Sequence, residues 1–182
     1  MRLYEFLLKT NFPKIFVDLD GVLVDFIEGA NEVTKLNGYE NSWERLAKSD
    51  IKTAWKIINE LGSNFWANLD WTKDGKDLWK NIEKYNPYIL SAYPYSIENP
   101  KIKNDAILGK KEWIRKNLGK NIENRSIICS RKEKVIFAGK NNILIDDLDK
   151  NIKEWERSGG TGILYKNAYK TIEELNKLLE AV

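Results

Sequence analysis

Lys14-Ile15-Phe16-Val17-Asp18-Leu19-Asp20-Gly21-Val22-Leu23-Val24-Asp25-Phe26 is the stretch whose reading decides the fold. Ile15-Phe16-Val17 is a short apolar run that stops at two carboxylates and a glycine. Continuous apolar runs of this length read as strands covered on both faces, as in a parallel sheet. A strand that ends in charge extends a core poorly. It is well suited to hold a divalent cation and an attacking oxygen at the rim of a sheet. A second acidic pair, Asp146-Asp147, ends another run, Ile143-Leu144-Ile145. Carboxylates gathered from two such ends repel one another unless a cation lies among them. The pattern points to one acidic, metal-binding, phosphate-processing site.

Working outward, further strands are expected at Tyr88–Ser91, Ser126–Ser130 and Gly162–Tyr165, beside Lys14–Asp18 and Asn142–Asp146. Helical spacing of apolar residues predicts helices over Gly75–Tyr85, Lys110–Leu118 and Asp149–Ser158, the last closed by Gly159-Gly160. Thr171 with Glu174 three residues on has the form of a capping box and predicts a final helix over Thr171–Leu179. Strands alternating with helices make an α/β fold with a doubly wound, parallel, five-stranded sheet. Residues 26–69 break the rhythm: Val33, Leu36, Trp43, Leu46, Ile51, Trp55, Ile58 and Leu61 recur at helical spacing. An insertion directly after the acidic strand end is placed to cover an active site. The expected organisation is a single domain over 1–182, with a core of about 1–25 and 70–182 and a helical cap of about 26–69. Residues 93–105 read as a long surface loop.

Bulk composition bounds the chemistry. At 182 residues, 42% apolar and 31% charged, the chain suits one globular unit with a sizeable core. A net charge of +3 neither demands nor excludes a polyanionic partner. No apolar run approaches the ~18 residues of a membrane span, and Met1–Lys9 lacks the form of a secretory signal. With one cysteine, Cys129, no internal disulfide can form, which points to a reducing, cytoplasmic compartment. Cys129 lies in an apolar run and reads as a small buried hydrophobe. The chain has no histidine, which excludes Ser-His and Cys-His catalysis and His-ligated zinc. A hard cation on oxygen ligands is the metal class that remains, and carboxylates with a phosphate suit Mg²⁺.

Plainer readings of the acidic stretch compete with this one. Asp-x-Asp-Gly favours turns, and Asp146-Asp147 would suit the first turn of a helix. A helix–loop–helix calcium loop would need Glu at its twelfth position, where this chain has Gly29. Both acidic pairs standing in matched strand contexts favour the site.

The motifs resemble those of the haloacid dehalogenase-like (HAD) phosphohydrolases. Asp18-Leu19-Asp20-Gly21-Val22 resembles the first motif, Leu90-Ser91-Ala92 the second, a lysine near 134 the third, and Leu144-Ile145-Asp146-Asp147 the fourth. Within that superfamily the chain is most similar to the 5'(3')-deoxyribonucleotidases. That similarity rests on 18–26, Phe65-Trp66, Trp113 with Leu118-Gly119, Arg131 with Lys134, and 144–147. The resemblance implies a Rossmann-like core, a Mg²⁺ cofactor and an aspartyl-phosphate intermediate. It implies Asp18 as nucleophile and metal ligand, and Asp20 as acid and base with a backbone carbonyl on the metal. Ser91 and Lys134 would bind the phosphoryl group, and Asp146 and Asp147 would complete the metal site. Phe26, Phe65, Trp66, Ala92 and Arg131 would meet the substrate. Lys132 competes with Lys134, because the spacing after Ser130 departs from the family pattern. Lys110 and Lys111 are weaker candidates for the same role and read rather as a solvated helix face.

The implied partner is a small phosphate ester, a nucleotide by resemblance, with no membrane; an oligomer is compatible. Two rivals stand beside it. One is the same fold acting on a sugar phosphate or a 3'-phosphorylated nucleic acid end, suggested by Lys101, Lys103, Lys110, Lys111, Arg115, Lys116 and Lys120. The other is a non-catalytic phosphate- or protein-binding module.

Overall fold

The computed structural model describes residues 13–39, 42–94 and 100–180. The reading of Met1–Lys9 and of positions 95–99 lies outside the described residues. Five strands form one parallel sheet among them: β1 (Lys14–Val17), β2 (Tyr88–Ala92), β3 (Ile127–Cys129), β4 (Asn142–Asp146) and β5 (Thr161–Leu164), in the order β3-β2-β1-β4-β5. The apolar runs predicted these strands to within a residue or two at each end.

Alternation along the strands feeds two cores. Phe16, Leu90 and Leu144 face one side, where Ile152 and Trp155 cover them. Ile15, Val17, Ile89, Ile143 and Ile145 face the other. Each such side chain taken out of water contributes about 1.5–3 kcal/mol. The larger face is covered by α5 (Gly75–Ile82) through Leu78, Trp79 and Ile82, by α6 (Pro100–Leu118) through Trp113 and Ile114, and by α9 (Ala168–Glu180) through Leu175. The smaller face is covered by α8 (Asp149–Arg157), whose Trp155 meets the Phe16 ring edge-on at 5.4 Å. A short helix, α7 (Lys120–Asn124), leads into β3.

Between β1 and α5 the described residues form four helices: α1 (Phe26–Leu36), α2 (Trp43–Ser49), α3 (Ile51–Glu60) and α4 (Ser63–Ala67). Local capping explains where they start. The carboxylates of Asp25 and Asp50 accept from the amides of Glu28 and Thr53, and the Ser42 hydroxyl accepts from Arg45. The segment leaves and returns at adjacent points. Val24 pairs antiparallel with Trp71, Asp25 N donates to Asp70 O, and Thr72 N donates to Leu23 O.

Three expectations need correction. The stretch 93–105 is not one loop: from Pro100 onward it is the start of α6, because the buried stripe Ala106, Gly109, Lys110, Trp113, Ile114 holds the whole helix on the core. Thr171 is no cap but an internal residue of α9, which begins three residues earlier with Asn167 accepting from Lys170 N. Cys129 is half-buried rather than fully enclosed. No helix among the described residues is long and apolar enough to cross a membrane.

Candidate active site

The strand order fixes where a site can form. From β1 the chain runs to β2 and β3 on one side, then crosses to β4 and β5 on the other, so β1 and β4 flank a switch point. Open α/β sheets bind ligands there, beyond the carboxyl ends of the strands. Val17 pairs with Ile145, and Asp18 N donates to Ile145 O at 2.9 Å, so the two acidic ends emerge side by side. Carboxylate oxygens of Asp18, Asp146 and Asp147 lie within 4.8 Å of one another.

Gly21 makes this approach attainable. The turn after β1 is closed by amides of Val22, Leu23 and Val24 donating to Leu19 O, and it puts Gly21 at a φ of +77°. A side chain is strained in that conformation. Its Cβ would also stand 2.3 Å from an Asp147 oxygen.

Lys134 answers part of the negative charge. It is delivered by the 3₁₀ helix Arg131–Phe137, whose start is fixed by a capping box between Ser130 and Glu133. Its buried ammonium lies 2.8 Å from Asp18 and 2.7 Å from Asp146. Burial alone would push Lys134 down, but the two carboxylates outweigh it and hold it above the ordinary lysine range. Burial first, and Asp18 second, push Asp146 up to about 6 and Asp147 to about 7. Asp146 is also fixed by the Asn151 amide at 2.9 Å and by Leu148 N at 2.9 Å.

Asp20 stands apart from this cluster, and the sequence reading missed its partner. Lys110 on α6 is buried and pairs with Asp20 Oδ2. It also donates to Ser91 Oγ at 3.0 Å and to Ala92 O at 2.6 Å. Lys110 is therefore part of the site and not on a solvated face, because it falls in the middle of the stripe that packs on the core. That stripe, with apolar or small residues three, seven and eight positions after Ala106 and Lys110 at the fourth, was the available signal. Burial raises Asp20 above the ordinary aspartate range, Lys110 opposes the rise, and Asp18 adds to it. Of the other lysines and arginine grouped with Lys110 in sequence, Lys111 is half-buried and the rest are exposed, several of them paired locally, as in Lys101–Asp105, Arg115–Glu112 and Lys120–Glu123.

Three carboxylates, Asp18, Asp146 and Asp147, thus gather around one ammonium group, Lys134. When all three are ionised, the two negative charges left over match one divalent cation. An all-oxygen donor set with raised carboxyl pKa values fits a hard ion such as Mg²⁺.

A cleft of about 290 Å³ opens over these groups. Asp18, Asp20, Ala92, Lys134 and Asp147 form its floor, and Phe26, Trp55, Trp66 and Tyr93 line it too. Phe26 and Trp66 are stacked at 5.5 Å with planes 19° apart. Trp55 was not anticipated. Phe65 does not line this cleft: it packs edge-on against Phe26 at 5.9 Å and lines a separate cleft of about 540 Å³. That larger cleft contains no member of the acidic cluster. Ser91 is fully buried and bound to Lys110, so Ala92 beside it forms the cleft surface. Arg131 reaches the cleft but is held by Glu154 at 2.8 Å and Asn151 at 3.1 Å. Of the competing lysines, Lys134 enters the site, while Lys132 lies on an adjoining groove.

Comparison with known proteins agrees with this geometry. No family model matches the chain. A Vibrio phage KVP40 protein, provisionally named a 5'(3')-deoxyribonucleotidase, is 27% identical over 146 residues, covering 79% of this chain and 71% of the phage protein. Among solved structures, a hydrolase from Streptococcus pneumoniae TIGR4 superposes with a TM-score of 0.56 at 12% identity, covering 91% of this chain and 99% of the other. A Clostridium acetobutylicum protein, assigned as a phosphatase by prediction, gives 0.54 at 14% identity, covering 94% and 99%. Sheet order, crossover point and superposition converge on one conclusion: the chain shares the parallel α/β fold of these hydrolases.

Proposed function

We propose that the protein is a Mg²⁺-dependent phosphomonoester hydrolase that works through an aspartyl-phosphate, with (deoxy)nucleoside monophosphates as substrates. The observation that carries the reading is the meeting of Asp18, Asp146, Asp147 and Lys134 at one strand rim under an aromatic cleft. Asp18, Asp146 and Asp147, with the Asp20 carbonyl, would hold the ion, whose chemistry is to neutralise charge on the phosphoryl oxygens.

The residues divide the reaction between them. An oxygen of Asp18 attacks phosphorus, the bond to the leaving oxygen breaks, and protonated Asp20 gives that oxygen its proton. A water then attacks the aspartyl-phosphate, Asp20 takes the water's proton, and the bond from phosphorus to Asp18 breaks. Phosphate leaves and both side chains return to their starting states. Lys134 keeps a positive charge against the phosphoryl group throughout, held in place by Asp18 and Asp146. The helices of residues 26–69 act as the cap that limits water and meets the leaving group. Phe26, Trp55 and Trp66 offer flat apolar faces to a nucleobase. The phage relative's name agrees with that substrate class.

A panel read by free phosphate tests the proposal. It compares 5'- and 3'-nucleoside monophosphates, deoxy and ribo, with sugar phosphates, a 3'-phosphorylated oligonucleotide and an aryl phosphate, each with Mg²⁺ and with EDTA. Nucleoside monophosphates are expected to give the highest kcat/KM, and only with Mg²⁺. Preference for a sugar phosphate would overturn the substrate assignment. No phosphate from any ester would overturn the enzyme reading.

A further inference from the structure

The proposed chemistry leaves one buried charge without a role. Lys110 is 1% exposed, lies on no wall of the cleft, and reaches the reacting groups only through Asp20 and the end of β2. An ammonium group has three N–H donors. Lys110 directs them to Asp20 Oδ2, Ser91 Oγ and Ala92 O, so none remains for a substrate oxygen. Lys134 differs, since two carboxylates occupy it and it lines the cleft.

The arrangement around Lys110 is rigid on three sides. Ser91 and Ala92 tie the amine to the sheet. The Trp66 ring lies 5.0 Å from the amine and covers it from α4. The preceding residue, Gly109, is pressed against the same helix: a Cβ there would stand 2.2 Å from Ser63 O and 2.6 Å from Trp66 Cβ. Asp20, by contrast, hangs from a turn, and its Oδ1 is shielded from solvent with no partner among the described residues.

We propose that Lys110 is the positioning residue of the acid–base step: it anchors the Asp20 carboxyl group to the sheet and to α4, so that its proton stays in line with the leaving group and then with water. This rests on the phosphohydrolase reading and adds a residue to it. Lys110 touches neither substrate nor reacting atoms. It works by denying Asp20 the rotation that would carry the proton out of line, a source of catalysis that depends on small displacements.

The role separates from a merely structural one in transient kinetics. An aryl phosphate has a leaving group that departs without a proton, so it reaches the aspartyl-phosphate without help from Asp20. Its hydrolysis in the second step still needs Asp20 as base. Lys110→Met is expected to lose about 10²–10³-fold in kcat on a nucleoside monophosphate, within the range of general acid–base catalysis. With p-nitrophenyl phosphate it should release a rapid burst of one nitrophenolate per active site, followed by slow turnover, with phosphorylated Asp18 recoverable after acid quench. In an Asp20→Asn background, adding Lys110→Met should change the burst rate by less than about threefold, since effects of residues that act as a unit do not multiply. That double variant removes both charges of a buried pair, so it remains testable where the single variant does not fold. Equal losses on aryl and nucleotide esters without a burst would overturn the proposal. So would a further large loss in the Asp20→Asn background. A wild-type protein that yields no phosphate from either ester would overturn the phosphohydrolase reading itself, and this proposal with it.

Discussion

Asp18 carries the most at the scale of single residues, because it is nucleophile, metal ligand and partner of Lys134 in the proposed scheme. Asp18→Asn keeps size and removes charge from an overcharged cluster, so the fold should persist. Turnover should fall by at least about 10³-fold, as for other removed nucleophiles, with phosphate release and a thermal melt measured together. Retention of a tenth of the wild-type rate would remove the assignment. Cys129 gives a second check, independent of catalysis. Burial pushes its thiol from 9.0 up to about 11, against the opposing pull of Lys134. Two pH units correspond to about 100-fold less thiolate at pH 8, and the thiolate is the species that is alkylated. Labelling of the native protein at pH 8 should therefore be about 100-fold slower than in urea, and equal rates would contradict the placement of β3. Legibility at this scale followed chemistry. Carboxylates that end apolar runs are conspicuous, whereas the sequence left Lys132 and Lys134 in competition. Lys110 was obscured by Lys111 beside it, and a lysine is the least expected occupant of a buried stripe. Trp55 carries no sign in sequence of which cleft it faces.

Elements were legible where one force decided them. The three central strands, β1, β2 and β4, are apolar runs buried on both faces along most of their length, and burial fixed their positions, while the edge strands β3 and β5 are largely half-buried. Helix starts depend on short-range capping and on long-range packing together, so the start of α6 and that of α9 were misplaced. The start of α9 is made by a residue remote in sequence. The Asp74 carboxylate, at the start of α5, accepts from Ala168 N and from the Tyr165 hydroxyl, both at 2.5 Å. It thereby caps α9 and joins it to the end of β5. Burial, and Asp74 next to it, raise the Tyr165 phenol above its ordinary value. Asp74→Ala removes a cap and the acceptor of the Tyr165 hydroxyl, which should cost about 1–3 kcal/mol. Urea melts should show the loss in the midpoint, with kcat/KM at 25 °C unchanged, because neither partner lines the catalytic cleft. An unchanged midpoint would mean that α9 docks without this contact.

At the scale of the whole molecule, the sheet gathers negative charge that its own lysines do not balance, and stability should report it. The signs follow from Asp146 and Asp147, raised to about 6 and about 7 from an ordinary 3.8. Between pH 4 and 7 the unfolded chain has released these protons and the folded chain still holds them. Stability of the metal-free protein therefore falls as pH rises through that window. Below pH 4 both states are protonated and the penalty is absent; above about 8 it is complete. A cation bound among these carboxylates offsets the penalty and binds more tightly as they ionise. The expected outcome is a Tm difference between Mg²⁺ and EDTA that is small at pH 5 and grows steadily to pH 8. Excess ligand at about 100 times its Kd contributes about 2.7 kcal/mol, which is several degrees for a chain of this size. Asp147→Asn, which removes the charge of one of the three carboxylates proposed to hold the ion, should shrink the difference at pH 8 without abolishing the fold. A difference that is flat with pH, or larger at pH 5 than at pH 8, would separate metal binding from these carboxylates and undo the charge argument on which the site rests.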